Sequence, residues 1–402
     1  NINVSGDAGG GTVLVGGDYQ GKNQNIQNAF RTYVSSNSTI NADAITNGNG
    51  GKVVIWADDV TRYYGTISVR GGSESGDGGF VEVSGKRFLD FRGHVNALAP
   101  NGRIGTLLLD PTDITVVTTG GIDSAADVAA FATATCGAGD NSATCSISPA
   151  TLNAAGATVI LQAQNDITVT DAINLTTTPD ASLTMQAGRT ITVNSSVATN
   201  GAGNITMVAN NTDNNETDAA GGALTGSQGT GRSAGLGNLI INGAISSGTG
   251  SIKLVASSAA TLSGDPGTLT LSNNITTNGG TVTLKGPVTL GAASTVDAGS
   301  GAVNFTSTVN GGFALTVNTT GATTFGNVVG GTTALTSLTT NAGGTTTLTG
   351  SVTTTAAQTY SDAVVLAANT TLDSTGNSTI NLASTVNGGF ALTVNTTGAT
   401  TF

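Results

Sequence analysis

The chain repeats a nineteen-residue stretch verbatim. Residues 307–325 read STVNGGFALTVNTTGATTF, and residues 384–402 read the same letters, a period of 77. Upstream the correspondence continues with substitutions: residues 288–297 answer 364–373, one residue out of phase, as a turn of different length produces. Repetition at such a period belongs to solenoids and arrays, in which each unit hides its apolar face against the next. A long, stiff, extendable surface needs such repetition, and catalysis does not.

The repeated units read as strands. Apolar–Thr–apolar triplets recur, as at residues 167–169, 191–193 and 282–284. In a strand they send both apolar side chains to one face and the Thr to the other. The clusters are short and end in Gly, Asn, Asp or Ser, which accept tight turns. Strands this brief suit the coil faces of a parallel β-helix, stacked at about 4.8 Å, better than ordinary sandwiches. A row of sandwich domains is the alternative, and Asn47-Gly48, Asn200-Gly201 and Asn278-Gly279 supply hairpin signals that keep it open. At roughly 20–25 residues per coil, one 77-residue period makes three or four coils.

Composition narrows the class. The 59 Gly show no three-residue period, which excludes collagen, and 38% hydrophobic residues in clusters argue against disorder. Net charge is −11; nine of the thirteen Lys and Arg precede Leu107 and none follows Lys285. That leaves no basic stripe for nucleic acid and no polybasic segment for an anionic membrane. No apolar run reaches the ~18 residues of a transmembrane helix. Neither end carries a start or signal pattern, so both are expected to lie inside a longer polypeptide.

Residues 119–158 depart from the pattern and read as an excursion between solenoid segments. An Ala-rich stretch, 122–136, is expected to open a short helix capped by Asp123 or Ser124. A second helix is expected with Ser148 as cap, Pro149 at its first position and Gly156 at its end. Cys136 and Cys145 enclose eight turn-forming residues, and the single His, His94, cannot complete a zinc site with them. A local disulfide is the preferred reading, worth ~2–3 kcal/mol, with two unrelated thiols as the alternative. No metal and no cofactor is expected.

Four blocks of the first quarter resemble the filamentous haemagglutinin-type exoproteins of Gram-negative two-partner secretion systems. They are GGTVLVGGDYQGKN (10–23), RTYVSSNSTINADA (31–44), GGKVVIWADDVTRYYGTISVRGG (50–72) and GDGGFVEVSGKRFLDFRGHVNALAPNGRIGTLLLDPTDITV (76–116). The rest resembles, by composition alone, the Thr/Gly/Asn-rich repeats that follow in such proteins. The resemblance implies an all-β, right-handed parallel β-helix, export through an outer-membrane transporter partner, and a secreted or cell-surface adhesin. The N-terminal secretion domain of that family is absent from this sequence, so transporter recognition is assigned to no residue. The expected organisation is a haemagglutinin-type β-helix in 1–118, the excursion in 119–158, and a repeat β-helix in 159–402 that holds the 77-residue repeat in 288–402.

Host or neighbouring-cell glycans or proteins, and other copies of the chain joined end to end, are the expected further partners. The functional reading is a rod-like shaft mediating attachment or biofilm; a self-assembling fibre or matrix subunit is the first alternative. Tyr63 and Tyr64 are candidates for an exposed aromatic contact, although packing is the plainer reading of Trp56, Tyr63, Tyr64, Phe88 and Phe91. A polysaccharide-active enzyme is the second alternative, and it needs converging carboxylates. Its candidates are Asp58, Asp59, Arg62 and Lys52; Glu74 and Asp77; and Lys86, Arg87, Asp90 and Arg92. A calcium ion at Asp77, or at Asp213, Glu216 and Asp218, has weak support. Thr-x-Thr runs suggest ice binding only if Thr forms a regular two-dimensional lattice.

Overall fold

The computed structural model describes residues 1–118, 146–211, 216–224, 237–256 and 267–402. It is all-β, and the described strand pairings are parallel; the one antiparallel bridge among the described residues joins Thr217 to Ala223. This is the parallel β-helix expected from the short alternating strands. The chain forms two compact units, one built on Asn1–Gly188 and the other on Arg189–Ser227 and Ser233–Phe402.

In the first unit each turn of chain visits three faces. Face one stacks Thr12–Val15, Lys52–Ala57, Phe80–Gly85, Thr106–Leu109, Thr158–Ala163 and Leu183–Ala187. Face two stacks Arg31–Val34, Val60–Tyr63 and Phe88–Phe91, and face three stacks Ile2–Asn3, Thr39–Asn41, Thr66–Ser68 and His94–Asn96. Register places like on like. Val13, Val53, Val81, Leu107, Val159 and Leu183 form one interior column of face one, and all but Val13 are fully buried. Lys52 pairs with Phe80 and Phe80 with Thr106, steps of 28 and 26 residues, so these coils are longer than expected.

The step from Thr106 to Thr158 spans the stretch read from sequence as an excursion, of which 119–145 lie outside the described residues. Its described part contains helix α1, Pro149–Asn153. Pro149 opens α1 as expected, because its missing N–H has no partner to lose there. Ser148 is extended, but its side chain makes no capping bond; its carbonyl instead accepts the N–H of Thr151 and of Leu152 at 3.1 and 3.2 Å. Gly156 does not end the helix: Ala154 closes it, and Gly156 pairs with Asn96 on face three. Ile147 bridges both Phe91 and Val116, so the returning chain wedges into face two. The Ala-rich stretch and both cysteines, Cys136 and Cys145, lie outside the described residues.

The second unit has tighter coils. Val282, Val303, Thr323, Thr346, Val364 and Val386 succeed one another on face one at steps of 18 to 23 residues. Face two runs through Val309, Val329, Val352, Leu372 and Val394. Four coils therefore carry Val309 to Val394, whereas its twin in the repeat is Val386. The 77-residue period falls one face short of four coils. The first copy places its strands on faces two, three and one (Val309–Asn310, Ala314–Thr319, Ala322–Phe325). The second places the same residues on faces one, two and three (Val386–Asn387, Leu392–Asn395, Thr400–Thr401).

Threonine also departs from its expected solvent face. Thr323, Thr340, Thr346 and Thr354 point inward and are fully buried. In Thr345–Leu348 the inward parity is set by Leu348, and Thr346 shares it. Gln358 and Tyr360 lie inside as well, Tyr360 donating its hydroxyl to Gln358 Oε1 at 2.9 Å while Gln358 Nε2 donates to the Asp373 carbonyl at 2.9 Å.

Candidate functional site

Chemically distinctive groups of the first unit gather where a segment of chain folds over the outside of face one. The outward column there is Leu14, Val54, Glu82, Leu108, Ile160 and Thr184. Solvent is excluded from its middle: Val54 and Glu82 are fully buried, while Leu14 and Ile160 are half-buried. The cover is residues 16–30, led by the 3-10 turn Tyr19–Gly21. Gly21 has φ +61, and a Cβ there would stand 2.5 Å from Trp56 Cε2, so the turn approaches the indole more closely than any side chain allows. Trp56 donates its Nε1–H to Asp58 at 3.2 Å, and Asn28 ties Asp58 to the Gly21 carbonyl with bonds of 3.0 Å each.

Gln20 joins the cover to two carboxylates. Its backbone N–H donates to Glu82 at 3.1 and 3.2 Å, and its side-chain Nε2 donates to Asp110 at 2.8 Å and to Gln162 at 3.2 Å. Burial pushes the Glu82 carboxyl up to about 8, against the Gln20 N–H, which favours the charged form, and with help from the negative charge of Asp110. Burial likewise pushes Asp110 up to about 7. Asp18 goes the other way, to about 2, held down by Asn23, by the Tyr19 N–H and by Lys52 at 3.0 Å.

Beside the cover runs a groove of about 830 Å³. Its floor is backbone: Gly10, Gly50 and Gly78 come from three successive coils, and a Cβ on any of them would collide with a carbonyl oxygen of the neighbouring face at 1.8 or 1.9 Å. Tyr19 and Phe80 form one wall, ring centroids 5.9 Å apart and tilted by 60°. Asn49, Asp77 and Arg103 form the other; Asn49 accepts the Asp77 N–H at 2.8 Å, and Asp77 accepts the Arg103 N–H at 2.8 Å and pairs with its guanidinium at 3.3 Å.

The residues singled out from sequence do not converge. Asp59 is buried and held by Arg31 at 2.8 Å and Arg87 at 2.9 Å, whereas Asp58 serves Trp56 and Asn28. Asp90 pairs with Arg92 at 2.9 Å and accepts the Tyr64 hydroxyl at 2.5 Å, and Arg62 lies buried in register between Tyr33 and Asp90. Glu74 sits on an exposed corner near Asn47. Tyr63 is not an exposed contact: it is fully buried and stacks on Phe91 at 5.8 Å. Tyr64 is half-buried and engaged by Asp90. Adjacent positions in an extended chain face opposite ways, so the pair was never able to act together.

In the second unit, Glu216 binds Lys285 at 2.7 Å and Lys253 at 3.8 Å, while Lys253 donates to the Thr217 carbonyl at 2.7 Å. These are contacts of a second cover on face one, in which Leu224 packs on Val208 and Val255. Glu216 is thus engaged by lysines, Asp218 accepts the Ala220 and Gly222 N–H groups at 2.9 and 2.8 Å, and Asp213 lies outside the described residues; among the described residues no three acidic, His or Cys side chains cluster as metal ligands. Outward Thr295, Thr316, Thr339 and Thr359 form a single file on face three, beside Asp297 and Asn318, which is not a two-dimensional lattice.

Sequence reading missed the cover and the groove. A signal was present: Val53-Val-Ile-Trp56 and Leu107-Leu-Leu109 are apolar at both parities, the mark of a strand covered on both sides. Compared with known proteins, the chain matches no family model and no curated protein.

Proposed function

We propose that the chain is a structural segment of a secreted or cell-surface exoprotein similar to filamentous haemagglutinin, exported through an outer-membrane transporter. It works as the shaft of an adhesin that holds loops and corners out for attachment. The observation that supports this reading is the repeat. One nineteen-residue sequence builds faces two, three and one in its first copy and faces one, two and three in its second. A sequence kept for a face-specific site has to return to the same face; one kept for adding coils does not. Ion pairs fix covers and corners, as at Asp59 and Asp43, the latter held by Arg70 at 3.0 and 3.2 Å.

Beads coated with the chain, compared with albumin-coated beads, test the proposal by their retention under flow on epithelial cells and on bacterial lawns. At least a several-fold gain on one of these surfaces is expected. Equal retention on both would remove the attachment role.

A further inference from the structure

We propose that the groove between the Tyr19–Phe80 wall and the Asn49–Asp77–Arg103 wall binds a neutral, extended β-linked polysaccharide lying along the stack of coils. This goes beyond the shaft role, which holds whether or not the groove is occupied.

Three features carry the inference. The first is the floor. Gly10, Gly50 and Gly78 expose backbone whose N–H groups are already used, donating to the carbonyls of Asn49, Asp77 and Arg103 at 3.0, 2.9 and 2.8 Å. Such a floor is flat and largely without free donors, suited to a ring face more than to a charged group. The second is the asymmetry of the walls. Half-buried Tyr19 and Phe80 present aromatic surface on one side, and a line of amide, carboxylate and guanidinium faces it on the other. Sugar rings have that same division, with C–H groups on their faces and hydroxyls on their rims. A cleft of a few hundred Å³ with apolar walls and a few placed polar groups is the usual form of a small-ligand site.

The third feature is charge. Lys52 is paired with Asp18 at 3.0 Å and Arg103 with Asp77 at 3.3 Å, so each cation of the groove already has its anion. A sulfated or carboxylated glycan would have to compete with those partners for the cations, whereas hydroxyls bond to paired charges without separating them. Coils repeat at about 4.8 Å, close to the rise of one sugar in an extended β-1,4 chain, so successive rings meet successive coils.

The test is calorimetric titration of the whole chain with cellohexaose, chitohexaose and a heparin hexasaccharide, with circular dichroism of each variant. Saturable binding of at least one neutral hexasaccharide is expected, at least tenfold tighter than heparin. Phe80→Ala and Tyr19→Ala should each weaken it tenfold or more, and Arg103→Ala several-fold. Arg103 is an exposed side chain whose loss leaves the stack intact, so it decides the matter if an aromatic variant loses β structure. Failure of both neutral oligosaccharides to bind, preference for heparin, or binding undiminished by Arg103→Ala and by the folded aromatic variants would each overturn the proposal. None of these results bears on the bead assay, so the two readings fail separately.

Discussion

Glu82 is a carboxyl placed under a lid with no cation in direct contact, and its behaviour follows from that. Its ordinary value is 4.5 and burial takes it to about 8. Between those values the carboxyl of the uncovered chain loses its proton before that of the covered one. Glu82's contribution to the stability of the cover is therefore complete below about pH 4.5 and is lost as pH rises through 8, whereas that of Asp18, lowered to about 2, is present above 3.8 and lost as pH falls toward 2. Asp110 adds to the same trend up to about 7; Lys52, Lys22 and Asp18 are the other charges facing the site. The size is set by ~1.4 kcal/mol per unit of displacement, so the docking equilibrium moves by several kcal/mol at most. Trp56 is the chain's sole tryptophan and lies beneath the cover. Its emission should shift to the red as pH rises from about 5 to 8, and Glu82→Gln should hold it blue; emission unchanged with pH in the native chain would contradict the assignment. Tyr63 supplies a second test at this scale. Its hydroxyl is buried without a partner, so Tyr63→Phe should leave stability unchanged or raise it by ~1 kcal/mol, read from thermal denaturation.

The covers are the elements on which the surface chemistry depends. Residues 16–30 seat Gly21 against Trp56 at a left-handed φ, so Gly21→Ala meets both a collision and an unfavourable backbone. The expected result is a cover loosened by ~2 kcal/mol or more, seen as a red-shifted Trp56 with the far-ultraviolet β signal intact. Loss of the whole β signal would show instead that the cover is part of the folding core. Legibility in the sequence divides at this level. Strands were readable because a period of two is imposed by geometry, and Pro149 marked the start of α1 because its ring admits few other places. Tyr63 was not placed, since which of two adjacent residues points inward depends on where the corner falls. Buried Thr323 and Thr346 went unread for a related reason: Thr fits a pleated strand on either side, and only the parity of Phe325 and Leu348 tells them inward. The cover needed the contact of Gln20 with Glu82, 62 positions away, which no local pattern contains.

The chain as a whole extends by adding coils. A residue's neighbours above and below are fixed by coil length, while the repeat in the sequence runs at 77, a length that is not a whole number of coils. Removing one complete coil, residues 338–357, joins Ser337 to Gln358 and sets Gln358 on Leu315 at a like position on face three, because Leu338 stacks directly on both. Such a deletion should retain the β signal with a modest fall in midpoint, whereas removing half of it, 338–347, should be far more damaging because every later side chain changes face. Equal effects of the two deletions would contradict stacking by coils.

Spin labels give the most direct reading of that claim. Thr316 and Thr339 are stacked neighbours on face three, although 23 residues separate them, and Thr316 and Thr393 are the same letter of the repeat on different faces. Labels at the first pair should lie about one coil apart, near 5 Å, and broaden the continuous-wave spectrum strongly. Labels at the second pair should show no such broadening. The reverse pattern, with the repeat-related pair close and the stacked pair distant, would contradict the account.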